Sequence, residues 1–166
     1  MRVIGIDPGM TGAIATFEHG RLVGVWDMPV LAGRVDGGAL YSQYIGGDEA
    51  VIYMENTQPM PRNGNIASFK LGLNTGIAIG AIESLQHPLV RVPPGVWKRA
   101  AGLIGKPKDA ARGLCIELYP LMAEQFRLVK HHGRADATLI GRYGVWQEIH
   151  NQTGEHDERS DAAARS

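Results

Sequence analysis

The sequence holds one cysteine, Cys115, so it has no second thiol for an intrachain disulfide and cannot build a cysteine-rich zinc site. That residue lies in a helical pattern with Ala110, Ala111, Leu114 and Leu118 and is expected to be a reduced core side chain. Long apolar runs are also missing. Gly, Pro or a charge interrupts each of them well short of the roughly 18 residues that a membrane span needs. Residues 1 to 20 carry no basic, apolar, cleavable leader. These absences predict a soluble cytoplasmic protein with no membrane partner. Excess charge of either sign is lacking too, with 17 basic side chains against 17 acidic ones, and a neutral total taken alone argues against a nucleic-acid binder.

The distribution of charge points the other way. Residues 89 to 130 contain eight basic side chains (Arg91, Lys98, Arg99, Lys106, Lys108, Arg112, Arg127, Lys130) against Asp109, Glu117 and Glu124, whereas residues 1 to 58 contain three basic and seven acidic ones. An acidic first third beside a basic segment suits carboxylates that gather metal next to a face that meets phosphates. A solvated helix surface would account for the basic segment equally well. With 166 residues, 44% of them apolar, the chain suits a single compact domain and is too short for two large lobes. That domain is expected over residues 1–150, and residues 151–166, polar and Ala-rich, are expected to form a disordered tail.

The pattern of the chain is that of an α/β protein. Residues 2 to 7, 12 to 18 and 21 to 27 read as a meander of three antiparallel strands, the second and third joined by a tight hairpin at Glu18-His19-Gly20-Arg21. Residues 38 to 45 can form a short helix, and 50 to 55 a buried strand that ends in a carboxylate. The loop from Asn56 to Asn65 is long for a core connection and so is a candidate for function. A helix over about 66 to 85 carries Gly72, Gly76 and Gly80, each disfavoured by roughly 1 kcal/mol relative to Ala. Close packing on its own sheet or on a second subunit would compensate, and a homodimer seam is predicted there. Residues 89 to 92 read as a fifth strand. Helices follow after Pro93-Pro94, from Lys106 to about Tyr119, and from about His131 to His150.

Three carboxylates occupy comparable places. Asp7 ends the first strand before Pro8-Gly9, which hold it on a rigid turn. Glu55 ends the fourth strand, and Asp136 lies on the last helix, on the same face as His132 four residues earlier. Burying three such groups together is unfavourable unless a cation joins them, and oxygen-rich ligation selects Mg²⁺ or Mn²⁺. Each also has an ordinary alternative: Asp7 as a turn-maker, Glu55 at an exposed strand end, Asp136 paired with Arg134 or Arg142, and His132 on the surface.

Over residues 2 to about 147 the chain resembles the RuvC family of Holliday junction resolvases, in the ribonuclease H-like superfamily, and particularly its phage-encoded branch. The resemblance rests on Gly5-Ile6-Asp7-Pro8-Gly9, on Tyr53-Met54-Glu55 before a loop and a Ser68-Phe69-Lys70-Leu71-Gly72 helix start, on Val92-Pro93-Pro94 with Trp97-Lys98, on Lys106 and Lys108 before a helix, and on Gly133-Arg134-Ala135-Asp136-Ala137. It implies a five-stranded mixed sheet, three antiparallel strands and then two parallel ones, flanked by helices. It also implies a homodimer and metal-dependent cutting of four-way DNA junctions.

Carried over by position, the resemblance makes Asp7, Glu55 and Asp136 metal ligands and puts Lys98 and Lys108 near the scissile phosphate. Many bacterial members place an Asp or His three residues before the last aspartate, where this chain has Gly133. His132 is therefore the expected fourth ligand, with His131 in reserve. The aromatic that bacterial members use to probe an unpaired base is Gln58 here, so opening of the junction falls to Met60, Arg62 or Phe69. Arg62, Asn63, Phe69, Lys70, Lys98, Lys106, Lys108 and Arg112 are the expected DNA contacts.

The implied reaction uses two Mg²⁺ ions about 4 Å apart, replaceable by Mn²⁺, to leave 5′-phosphate and 3′-hydroxyl ends. Alternatives are a broader nuclease for flaps and branched DNA, and a non-catalytic junction binder. The opening Gly-Ile-Asp pattern also occurs in actin-like ATPases and sugar kinases. Those need a second lobe that 166 residues do not supply, so no nucleotide cofactor is expected.

Overall fold

The computed structural model describes residues 1–58 and 64–163, the side chains of 152–163 excepted. Seven strands lie within them: β1 (Arg2–Asp7), β2 (Ala13–Glu18), β3 (Arg21–Asp27), β4 (Val30–Leu31), β5 (Arg34–Val35), β6 (Val51–Glu55) and β7 (Leu89–Val92). The main sheet has the order β3-β2-β1-β6-β7, with β1, β2 and β3 antiparallel and β6 and β7 parallel to β1. The expected five-stranded mixed sheet is therefore present. The helices are α1 (Gly37–Ala39), α2 (Asn65–Glu83), α3 (Pro94–Ala100), α4 (Ala110–Leu118) and α5 (His132–Ala163).

Strand alternation divides the core into two layers. Val3, Ala13, Ala15, Phe17 and Tyr53 face α5, Ala135, Leu139 and Ile140 among its side chains. Ile4, Ile6, Ile14, Ile52 and Met54 face Ala78 and Ile82 of α2 together with Leu40 and Ile45. Helix α5 comes unusually close to the sheet because both surfaces lack side chains where they meet. A Cβ at Gly5 would lie 2.2 Å from the Ala137 carbonyl oxygen, and one at Gly141 would lie 2.6 Å from the Phe17 ring. Asp7 and Glu55 share the parity of Gly5 and Tyr53, so both strand ends turn their carboxylates to the α5 side.

Several elements depart from expectation. The Gly-rich passage after β3 forms the small β4-β5 hairpin, in which Asp36 N–H closes on the Pro29 carbonyl at 2.8 Å. The expected helix over 38 to 45 is α1 followed by a π-helical turn, Leu40–Ile45, with Gly46 N–H donating to the Tyr41 carbonyl. Helix α4 starts at Ala110 rather than at Lys106: Gly102 and Gly105, with positive φ values of 68° and 74°, turn the chain before Lys106, and a further turn follows in which Ala110 N–H donates to the Pro107 carbonyl at 3.0 Å. Short 3₁₀ segments fill Pro120–Gln125 and Val129–His131. Helix α5 runs past His150, where the apolar pattern ends.

Helix α2 packs Asn74, Thr75, Ala78 and Ile82 inward. The Asn74 side-chain oxygen accepts from Val35 N–H at 2.8 Å, which ties the helix to β5. Gly72, Gly76 and Gly80 look outward, and a Cβ added at any of them would meet no described atom beyond the helix's own backbone within 4 Å. Among the described residues no helix is long and apolar enough to cross a membrane. Met60, Arg62 and Asn63, named above as DNA or junction contacts, lie outside the described residues.

Candidate active site

The pairing of β1 with β6 aligns Ile6 with Met54, so Asp7 and Glu55 stand side by side, one residue further on, at the ends of adjacent parallel strands. Helix α5 brings Asp136 over the same edge. Burial, then the charges of Glu55 and Asp136, push the Asp7 carboxyl from its ordinary 3.8 up to about 8, against a smaller pull from Lys98. Asp7 keeps a little surface open to solvent, but protein surrounds most of its carboxyl. Burial also raises Glu55, opposed by a hydrogen bond from Trp97 and by Lys98. Asp136 is pushed up to about 6 by burial and Glu55, while Lys98, His132 and Lys108 act in the opposite direction.

The Lys98 ammonium thus influences all three carboxylates, and Lys108, exposed in the turn before α4, influences Asp136. Lys98 also lies 5.1 Å from the centre of the Trp97 ring. No lysine, arginine or histidine comes within ion-pair distance of Asp7, Glu55 or Asp136 among the described residues.

The two histidines differ in what surrounds them. His132 bears on Asp136 electrostatically. The buried His131 accepts from Leu128 N–H through Nδ1 at 3.4 Å and is held below the usual histidine range by its surroundings and by Arg134. Gly133, between the histidines and Arg134, has no room for a side chain, since a Cβ there would lie 2.4 Å from the Thr11 carbonyl oxygen and 3.0 Å from Gly12 Cα. The β1-β2 turn fills that space.

Arg134 does not pair with Asp136. Its guanidinium forks onto Asp27 at 2.6 and 2.8 Å and reaches Gln125 at 2.7 Å, joining the first turn of α5 to the end of β3. Sequence spacing holds no signal for that link, because its partners are more than 100 residues apart in the chain. Trp97 is likewise drawn into the site only by the fold. Its Nε1–H donates to Glu55 Oε1 at 3.2 Å across 42 residues.

Of the expected DNA contacts, Phe69 and Lys70 are exposed near the start of α2, and Lys106 and Lys108 are exposed in the turn between α3 and α4. Arg112 is engaged within the protein, donating to the carbonyls of Phe126 and Arg127 at 3.5 and 3.1 Å. Gln58, exposed, follows a segment in which Thr57 and Thr75 hydroxyls meet at 3.3 Å.

Among the described residues no three His, Cys, Asp or Glu side chains already stand in ligating geometry. The donor set nevertheless fits a hard divalent cation. Three carboxylates, each raised in proton affinity chiefly by burial, gather on one face with no lysine, arginine or histidine in ion-pair contact among the described residues, a set of hard oxygen donors that a divalent cation would neutralise.

No family model matches the chain. It is 30% identical over 150 residues, 73% of its own length, to Holliday junction resolvase MOC1, chloroplastic, of Chlamydomonas reinhardtii, and spans 17% of that relative's length. Its structure is similar to that of Thermus thermophilus RuvC, with a TM-score of 0.59 and 17% identity over 90% of this chain and 96% of the other. T. thermophilus RuvC in complex with Holliday junction substrate is similar to the same degree, at 0.59 and 18% with the same coverage. The fold is therefore the RuvC one, a ribonuclease H-like sheet between helices.

Proposed function

We propose that this chain, RuvC-like in fold and similar over most of its length to part of a Holliday junction resolvase, is a divalent-metal-dependent endonuclease. It would resolve four-way DNA junctions by paired symmetric nicks that leave 5′-phosphate and 3′-hydroxyl ends. The observation that carries the reading is the convergence of Asp7, Glu55 and Asp136 at one edge of the sheet, desolvated and within reach of the Lys98 charge.

Asp7, Glu55, Asp136 and His132 would hold two Mg²⁺ ions, with Mn²⁺ as a substitute. When bound, such ions supply a nucleophilic hydroxide and Lewis acidity at the phosphate. The protein's own part begins with Asp7, whose carboxyl must release its proton before it can ligate, so loading competes with protonation. Lys98 and Lys108 would offset charge on the scissile phosphate and its neighbours. Phe69, Lys70 and Lys106, all exposed, would bear on the flanking DNA. Symmetric nicking asks for two sites related by a two-fold axis. A second copy seated on the open glycine face of α2, beside the exposed Ile66 and Leu73, would provide that arrangement.

The second reading is a less selective nuclease for forks and flaps, favoured by Gln58, which offers no ring for stacking on an unpaired base. Labelled four-way junction, Y-fork and linear duplex, each incubated with Mg²⁺, Mn²⁺ or EDTA, separate the two. Paired nicks in the junction that vanish in EDTA and in Asp7→Asn are expected, and His132→Ala tests the fourth ligand. Equal cutting of forks and junctions would favour the broader nuclease. Binding without cutting in every metal would overturn both.

A further inference from the structure

Trp97 joins two groups that the proposed reaction uses and that sequence reasoning treated separately. Its side chain is fully buried, in a cluster with Val92, Cys115, Phe126 and Leu139. The indole has a single donor, and that donor is spent on Glu55 Oε1 at 3.2 Å. The face of the same ring lies 5.1 Å from the Lys98 ammonium, within the range of a cation–π attraction. A planar side chain clamped by the core therefore bridges a strand-end carboxylate on β6 and a lysine on α3.

We propose that Trp97 is a positioning residue of the metal site: its N–H fixes the rotamer of Glu55, leaving the second carboxylate oxygen to ligate, while its ring holds the Lys98 ammonium over the carboxylate cluster. The inference rests on the reading of Glu55 as a metal ligand and Lys98 as a phosphate contact. A buried indole needs some acceptor, and a main-chain carbonyl would serve a purely structural Trp equally well. The acceptor here is instead one of three converging carboxylates. An interaction of this kind, from outside the ligand set onto a ligand, typically alters metal affinity by about 10- to 100-fold.

The experiment follows the indole N–H resonances of Trp26, Trp97 and Trp146 in the ¹⁵N-labelled full chain during a Mg²⁺ titration. It is accompanied by calorimetric Mg²⁺ binding and junction cutting by Trp97→Phe, which keeps a ring beside Lys98 and loses only the donor. The Trp97 resonance should move saturably while those of Trp26 and Trp146 stay in place. Trp97→Phe should bind Mg²⁺ about tenfold more weakly and lose kcat with KM for the junction nearly unchanged. Unchanged Mg²⁺ affinity in a folded Trp97→Phe would overturn the positioning role, as would a Trp97 resonance indifferent to saturating Mg²⁺. The titration of the unsubstituted chain decides the matter even if the variant fails to fold. Absence of saturable Mg²⁺ binding by that chain, with Asp7→Asn no different, would overturn the nuclease reading itself and Trp97's role with it.

Discussion

Helices α2 and α5 cover opposite faces of one sheet, and both carry glycines in series, but the glycines do opposite things. Those of α5 are pressed into the protein: Gly133 against the β1-β2 turn, Gly141 against Phe17 and Gly5, and Gly144 within 2.4 Å, by its missing Cβ, of the Tyr53 ring. A Cβ at Gly72, Gly76 or Gly80 of α2 would meet nothing beyond that helix within 4 Å among the described residues. On propensity alone both series cost the same, roughly 1 kcal/mol per glycine relative to Ala. In α5 the cost is offset by an approach that no other residue permits, and that approach brings Asp136 to Asp7 and Glu55. In α2 no contact among the described residues offsets it, and for this reason the outward face of α2 is the proposed seat of a second copy.

The comparison is most sharply tested at the contact itself. Gly5→Ala places a methyl 2.2 Å from one backbone oxygen and 2.4 Å from the Gly141 nitrogen, so sheet and helix must separate. A loss of about 3 kcal/mol in urea unfolding is expected, the upper part of the range for overpacking. A loss below about 1 kcal/mol would mean that α5 shifts freely and that its glycines are not what holds the carboxylates together.

The tight α5 face also encloses Asp7, which gives the metal-free protein a pH dependence. The folded pKa, about 8, lies above the ordinary 3.8, so between those values the folded chain binds a proton that the unfolded chain has released. Stability in EDTA should therefore fall as pH rises from about 4 to about 8 and level off beyond. Asp136, raised to about 6, adds to the lower part of that window. Asp7→Asn should flatten the profile and stabilise the metal-free protein at pH 9 by on the order of 2 kcal/mol, allowing for reorganisation around the charge. Calorimetric melting from pH 5 to 9 checks it, and saturating Mg²⁺ should abolish the decline in the unsubstituted chain. A flat metal-free profile would mean that water reaches Asp7 freely.

The smallest effect is expected on α2. Gly76→Ala should stabilise the dilute protein by about 1 kcal/mol, since the new methyl meets open space. In sedimentation equilibrium at high concentration the same substitution should weaken self-association. Association left intact would remove the seam from this face.

Much of this was legible from residue order. Alternation in Val3-Ile4-Gly5-Ile6-Asp7 and Val51-Ile52-Tyr53-Met54-Glu55 marks two buried strands that end in carboxylates, and β7 is found at the residues expected, Leu89–Val92. The β4-β5 hairpin was missed because two-residue strands carry no periodicity. Lys106-Pro107-Lys108 resembles a helix opening, but the segment closes a turn from Pro107 to Ala110 before α4 begins, and local residue types do not distinguish the two. The site was visible as residue types and not as contacts. Trp97 stood out only as part of a motif, and Arg134 was considered for the wrong aspartate.

The sequence by itself determined the strand and helix order, the two-faced sheet and the residue types able to hold a cation, because short-range periodicity and strand-end chemistry are local properties. Only the tertiary structure decided which glycines are contact surfaces, that Gly133 is closed off by the Thr11 carbonyl, that Arg134 serves Asp27, and that the Trp97 indole rests on Glu55. These depend on atoms from segments tens of residues apart meeting within a few ångströms, and the pattern of a chain does not encode such distances until the core that sets them has packed.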